Sequence, residues 1–276
     1  MSDTIFQILE VRRRADSVAI TLTTDFGTRD GFVAQMKGII LGINPRARLI
    51  EVTHDIRPFA VLEGALVLKG IARYFPRGTI HVAVVDPGVG SSRRCIAVSS
   101  DGRIYVGPDN GLLSLAIPPA TTVEVREIRN PEFMLPEPHP TFHGRDIFAP
   151  AAAHLSLGKP MDRVGPLVSD SVRLAIPAVE RTPEGLQGEV IYMDRFGNLS
   201  TNIEATMLDR PAKEIVVGNT RLTEVKRCYQ EVPEGEPLAL VNSFGLLEIA
   251  VNRGDASATL DVGVGDRVAV TWEWIA

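Results

Sequence analysis

Four short polar clusters in this chain carry the residue types that chemistry needs. Thr23-Thr24-Asp25, Thr53-His54-Asp55 and Asp86 each close an apolar run that reads as a β-strand, and Phe142-His143-Gly144-Arg145-Asp146 forms the fourth. Arg93 follows Asp86 by seven residues, across the loop Pro87-Gly88-Val89-Gly90. A single Asp after a strand is an ordinary turn former or helix cap. Three of them on successive strand ends predict a shared cleft, because ligands of open α/β sheets sit beyond the carboxyl ends of the strands. Carboxylate, guanidinium and imidazole together suit proton transfer and the stabilisation of developing negative charge. Two other readings fail. Gly88-Val-Gly90 is no dinucleotide fingerprint, since Arg93 stands at the third glycine position, and no Gly-Lys-Ser/Thr ending marks a phosphate-binding loop. No His-x-His or His-Glu-x-x-His spacing occurs, and Arg93 and Arg145 at the same edge would oppose a cation, so no metal is expected.

The elements that must position these groups alternate over residues 18–175. Val18–Thr24, Arg48–Thr53 and Thr79–Val85 read as strands. Gly31–Ile43 has helical spacing with Phe32, Met36 and Ile39–Ile40 on one face, and Val61–Phe75 is a second helix stopped by Pro76-Arg77-Gly78. Cys95–Ser99 and Arg103–Val106 flank the hairpin signal Asp101-Gly102, and Ala149–Leu157 is a further helix. Such alternation predicts a mainly parallel sheet in an α/β domain over residues 18–177. After Pro177 the texture changes to short strands punctuated by Gly, Asn and Asp: Gly188–Met193, Glu214–Val217, Leu238–Val241, Leu246–Val251 and Arg267–Trp272. An all-β, barrel-like domain is expected over residues 185–276, with Ala175–Gly185 as a linker.

Composition narrows the class. Of 276 residues, 45% are hydrophobic and 23% charged, with a net charge of −5, the profile of a well-cored soluble chain. The only basic run, Arg12–Arg14, reads as a solvated helix face, so neither nucleic acid nor membrane is an expected partner. No apolar run approaches the roughly 20 residues of a membrane span, and the N-terminus lacks a secretory pattern. Cys95 and Cys228 belong to no Cys-x-x-Cys pair, which argues against a disulfide framework or zinc site. A cytoplasmic location follows as the default.

The segments TLTTDFGTRDGFVAQMKG, VTHDIRPFAVLEGA, VVDPGVGSSRR, GPDNGLLS, TFHGRDIFAPAAAHL, YMDRFGNLSTNI and NSFGLLEIAVNRG closely resemble the S-adenosylmethionine hydroxide adenosyltransferases, relatives of the enzymes that make 5'-fluoro- and 5'-chloro-adenosine. The resemblance runs from about Ala19 to the C-terminus. It implies an α/β domain followed by a β-barrel, a homotrimer with active sites at subunit interfaces, and a small-molecule substrate with no separate cofactor. It assigns Asp25 to the ribose hydroxyls, Phe59 to the ribose and methionine chain, and Asp194 to the methionine ammonium. Phe196 and Asn198 become adenine contacts, and Ser243 a methionine carboxylate contact, with Arg253 a further candidate for that carboxylate. The halogenating relatives carry one more residue between the counterparts of Asp194 and Phe196.

The same resemblance makes Asp86, Arg93 and His143 the catalytic set of the water-using branch. Halogenating relatives have tyrosine at the positions of Asp86 and His143, and the fluoride-using ones have serine at that of Gly144. The expected reaction is attack of activated water on the ribose C5' of S-adenosyl-L-methionine, releasing adenosine and methionine. Methionine departs as a neutral thioether, so the nucleophile rather than the leaving group needs help. Either Asp86 or His143 could take the proton, with Arg93 stabilising incipient hydroxide. Two alternatives are a halide-using adenosyltransferase, disfavoured by Asp86, and a non-catalytic binding protein for S-adenosylmethionine or adenosine, which would need no water-activating set. His54, His81 and His154 read as structural, Asp109-Asn110 as a tight turn, and Trp272 and Trp274 as barrel or interface packing.

Overall fold

The structure, a computed structural model, describes residues 18–118 and 121–273. Residues 1–17, with Arg12–Arg14, and Trp274 lie outside the described residues. The chain divides into two compact units, up to Leu174 and from Ala175 onward.

The first unit is built on β1 (Ala19–Thr24), β2 (Arg48–Thr53), β3 (Ile80–Val84), β4 (Cys95–Ser100), β5 (Arg103–Pro108) and β6 (Val123–Glu127). They form a six-stranded sheet in the order β2-β1-β3-β5-β4-β6. Strands β2, β1, β3 and β5 run parallel, in registers such as Ile20 beside Ile80 and His81 beside Tyr105. Strands β4 and β6 run antiparallel to their neighbours. The expectation of a mainly parallel sheet holds, and β6, absent from the sequence reading, is the strand it missed. Its five residues, VEVRE, alternate like an edge strand but are too polar to stand out from a loop.

Because β3 and β5 are buried on both sides, each face of the sheet has its own core. Ile20, Leu22, Val82 and Val84 meet Val33, Met36 and Ile40 of α1 (Phe32–Ile43). On the other face Ala83, Val85, Ile96 and Tyr105 meet Ala65 and Leu68 of α2 (Val61–Ala72). The Ala-rich helix α3 (Ala149–Ser156) packs on the first face and is preceded by a π-turn, Gly144–Phe148.

In the second unit β7 (Glu180–Thr182), β8 (Gly185–Met193), β9 (Leu199–Glu204), β10 (Ala212–Val217), β11 (Thr220–Leu222), β12 (Val225–Lys226), β13 (Pro237–Val241), β14 (Leu246–Val251) and β15 (Arg267–Trp272) form a nine-stranded sheet. The order is β11-β10-β15-β8-β9-β14-β13-β12, with β7 paired to β8. All pairings are antiparallel except β12 with β13. The two terminal strands of that order, β11 and β12, are consecutive in the chain, which requires the sheet to curl, yet they do not pair with each other. The expected barrel-like domain is thus met in part, as a curled, mostly antiparallel half-barrel sheet and not a closed barrel. Strand β7 occupies part of the Ala175–Gly185 segment expected as a bare linker. A short α-helix, α4 (Ala256–Leu260), is capped by the Asp255 side chain accepting from the Ala258 amide at 2.8 Å.

Candidate active site

The carboxyl edge of the parallel strands collects the polar clusters. Asp25, Asp55 and Asp86 follow β1, β2 and β3, three adjacent parallel strands, so all three lie on one edge of the sheet. Strand β4 runs against β5, pairing Cys95 with Pro108. The start of β4, and Arg93 just before it, thereby returns to the edge where Asp86 stands.

Arg93 is the hub. Its Nε donates to Asp86 Oδ1 at 2.9 Å and its Nη2 donates to Asp86 Oδ2. The same Nη2 reaches His143 Nδ1 at 2.7 Å, while Nη1 donates to Cys95 Sγ at 2.9 Å. The guanidinium also lies 5.5 Å from the centre of the Phe148 ring. The Asp86 and Arg93 side chains are only 5% and 10% exposed. Burial works against the Arg93 charge, but the Asp86 and Cys95 contacts together outweigh it and hold the guanidinium above its usual pKa. Burial, and then the Arg93 charge, hold His143 below the ordinary imidazole value, against weaker opposing pulls from Asp86 and Asp146. Burial also pushes the Cys95 thiol up, which keeps it neutral at physiological pH.

Arginine has no acceptor atom, so the Arg93–His143 bond requires a lone pair on Nδ1. The neutral imidazole then carries its proton on Nε2. Each Asp86 oxygen accepts one bond from Arg93 and keeps a further lone pair.

Two loops bring these groups together. His143 caps the π-turn Gly144–Phe148, a rare backbone form that recurs at functional sites. Gly90 has φ +78°, and a Cβ there would lie 2.6 Å from the Pro140 carbonyl oxygen. Glycine thus lets the Asp86 loop close on the segment leading to His143. A Cβ on Gly144 would meet Phe142, Met36 and Phe26 at 3.2–3.4 Å. Phe26, Phe32 and Phe142 stack edge to face around that point. Arg145 and Asp146 pair with each other at 2.6 and 2.8 Å, and Asp146 also accepts from the His139 amide, bracing the loop.

Asp25 and Phe59 form a second pair in the same unit. Asp25 Oδ2 accepts from the Phe59 amide at 2.9 Å. Phe59 takes a left-handed φ of +68° and the residue is 69% exposed. A bulky residue in that region carries strain that the surroundings must hold in place. Asp55 is exposed and has no bond to the Asp86 group, so the cluster of three is a shared edge rather than one contact.

In the second unit Asp194 organises the β8–β9 turn. Its Oδ1 accepts from the Phe196 and Asn198 amides at 2.8 and 2.9 Å, and its Oδ2 accepts from Asn198 Nδ2 at 2.9 Å. Phe196 is left 73% exposed, while Asn198 is buried. Ser243 lies on a turn held by Asn242, whose Oδ1 accepts from the Phe244 and Leu246 amides. Arg253 is exposed, at φ +54°, and pairs with Glu234 at 3.0 Å.

Sequence reasoning missed Cys95, although its spacing of two from Arg93 at a strand start would have placed both on one side. It also read Asp109 as a turn former. Asp109 is buried, ion-paired with Arg94 at 2.7 Å and accepting from the Val172 amide. His81 is buried against Tyr105 and bonded to Thr21 at 2.8 Å, the structural role expected of it. Among the described residues no group of three or more His, Cys, Asp or Glu side chains is arranged to hold a metal ion. Nor is any helix among them long and apolar enough to cross a membrane.

A carboxylate and an imidazole held by one buried guanidinium, at the carboxyl edge of an α/β sheet, are an arrangement able to transfer a proton and stabilise developing negative charge. The chain matches the SAM hydroxide adenosyltransferase N-terminal domain over residues 20–165 and the C-terminal domain over residues 188–269. It belongs to the SAM hydroxide adenosyltransferase family. It is 41% identical over 255 residues to the "(R)-S-adenosyl-L-methionine hydrolase" of Salinispora arenicola (strain CNS-205), covering 91% of this chain and 97% of that one. A "Fluorinase" of Actinoplanes sp. (strain N902-109) is 31% identical over 288 residues, covering 91% and 97%. A crystal structure of a conserved protein from Thermotoga maritima superposes with a TM-score of 0.82 at 37% identity, covering 91% of this chain and 99% of that one.

Proposed function

We propose that this enzyme hydrolyses S-adenosyl-L-methionine to adenosine and L-methionine by attack of water on ribose C5', with Asp86, Arg93 and His143 as the catalytic set. The observation that carries the reading is the single Arg93 guanidinium bonded to both Asp86 and His143. The hydrolases among its relatives are more similar to it than the fluorinase is.

The bonding pattern supports a division of labour. His143 has its Nδ1 lone pair engaged and offers Nε2–H, a donor for the oxygen of water or incipient hydroxide. Asp86 retains lone pairs and receives the proton. Arg93 keeps both partners oriented and stabilises the negative charge as it develops. The sulfonium and the nascent hydroxide neutralise each other in the transition state, so exclusion of bulk water strengthens their attraction. No step calls for a metal ion or a second cofactor.

Asp25 holds the ribose hydroxyls and Phe59 covers the sugar. Asp194, Phe196, Asn198, Ser243 and Arg253 bind adenine and the methionine end. These two groups are read as halves of one site completed between subunits of a homotrimer, in the cytoplasm. The relatives' names specify the R form of the substrate, and the same epimer is taken for this enzyme.

The test is incubation of purified protein with each epimer, with and without chelator and with and without chloride, followed by chromatography. Adenosine and methionine in equal amounts, insensitive to chelator, support the proposal. 5'-Chloro-adenosine would make it a halogenase, and absence of any product would make it a binding protein.

A further inference from the structure

The second unit buries a carboxylate for which the chemistry above has no use. Glu248 lies on β14 and is 5% exposed. Leu247, Ile249 and Val251 of that strand enter the main core of the curled sheet, so strand alternation turns Glu248 to the opposite face. There it stands opposite Ser200 of β9. Its Oε1 accepts from the Tyr229 hydroxyl at 2.8 Å and its Oε2 from Asn242 Nδ2 at 3.0 Å. Both donors are neutral, and no Lys, Arg or His among the described residues pairs with it. Hydrogen bonding is satisfied while the charge is not balanced, and burying an unpaired charge is costly.

Its neighbours connect it to the candidate methionine site. Asn242, which donates to Glu248, also holds the turn that carries Ser243. Ser200 bonds Asn242 at 2.9 Å and follows by two residues Asn198, the partner of Asp194. Glu248 is thus bonded to the residue that holds the Ser243 turn and faces Ser200 on the strand that follows Asn198, and burial, then the Asp194 charge, push its pKa up. A carboxylate that feels the Asp194 charge and pairs with no cation among the described residues is relieved by a positively charged ligand.

We propose that Glu248 is a specificity-determining residue, a buried negative charge that joins Asp194 in selecting substrates that bring their own positive charge. The class of ligand it favours is an adenosyl compound bearing an ammonium and a sulfonium, over neutral adenosyl thioethers. It acts through the field at the methionine end and through the Asn242 turn, with no part in the chemical step. This inference rests on the substrate proposed above.

The experiment compares binding of S-adenosylmethionine and of neutral 5'-methylthioadenosine by calorimetry, in the full-length protein and three variants. An Asp86→Asn background limits turnover throughout. Glu248→Gln is expected to weaken the cationic ligand about tenfold and the neutral one less than twofold. Tyr229→Phe and Glu248→Asp keep the charge and are expected to retain the wild-type preference. In steady state without the Asp86 change, Glu248→Gln should raise KM and leave kcat nearly unchanged. Equal weakening of both ligands, or none, would reduce Glu248 to a structural acceptor and overturn the proposal. Should the Gln variant fail to fold, loss of preference in either charge-retaining variant overturns it. Failure of the Asp86→Asn parent to bind S-adenosylmethionine would instead count against the proposed substrate.

Discussion

The Nη2 of Arg93 donates to the Nδ1 of His143 across 2.7 Å, an arrangement that a protonated imidazole would have to break. The proposed mechanism therefore requires neutral His143, and burial and the Arg93 charge hold its pKa below the ordinary value of 6.5. Turnover should be flat above that value and fall as pH drops through a midpoint below 6.5. A kcat–pH profile checks this, and an acid limb centred at 7 or higher would contradict it.

Removing the proton acceptor should slow the chemistry without loss of substrate. Asp86→Asn is expected to cut turnover by about a hundredfold or more, the usual scale for general-base loss. The dissociation constant should change little. Single-turnover kinetics and calorimetry measure the two separately, and unchanged turnover would take Asp86 out of the mechanism.

Gly90 is expected to matter for placement rather than chemistry. In Gly90→Ala a methyl would clash with the Pro140 carbonyl at a left-handed φ, pushing the Asp86 loop away from the His143 loop. Displacement near 1 Å can cost about a hundredfold in rate. The prediction is a large loss of kcat with a folded circular dichroism spectrum; near-normal kcat would show that the loops need not meet so closely.

At Phe59 two variants separate the ring from the backbone. Phe59→Ala and Phe59→Gly both remove the ring and should raise KM. Only glycine relieves the left-handed conformation, so Phe59→Gly should be more stable than Phe59→Ala by about 1 kcal/mol. Equal melting temperatures would mean that the strain is negligible.

His81 should make the first unit acid-sensitive. Burial, aided by Arg103, lowers its pKa from 6.5 to about 4. Above 6.5 it costs nothing. Between 6.5 and about 4 the unfolded chain binds a proton that the native imidazole refuses, and stability falls by roughly 3 kcal/mol. Denaturant midpoints at several pH values test the slope, which His81→Gln should flatten; an unchanged slope in that variant would assign it to other groups.

The amino-acid sequence by itself determined most elements of the first unit and the residue types of the site, while β6, β7, β9, β11 and β12 went unread. Apolar runs ending in Asp25 and Asp86 specify strands and their polar ends, because burial on both faces leaves little choice of conformation, whereas β2, before Asp55, is a partly exposed edge strand. The family resemblance, and not spacing alone, singled out Asp86, Arg93 and His143 as a set. Tertiary structure decided what spacing cannot carry. The antiparallel return of β4 brings Arg93 to the edge where Asp86 stands, and Gly90 lets the Pro140 segment close over it. The protonation pattern of His143 follows from its contact with Arg93, and the Arg93–Cys95 contact is likewise a product of the fold. Glu248 draws no notice in the sequence; the fold buries it and sets Tyr229 and Asn242 against its carboxylate. Local patterns report which way a side chain points relative to its own strand. Which distant segment then covers it depends on chain topology, and that is set by long-range pairing.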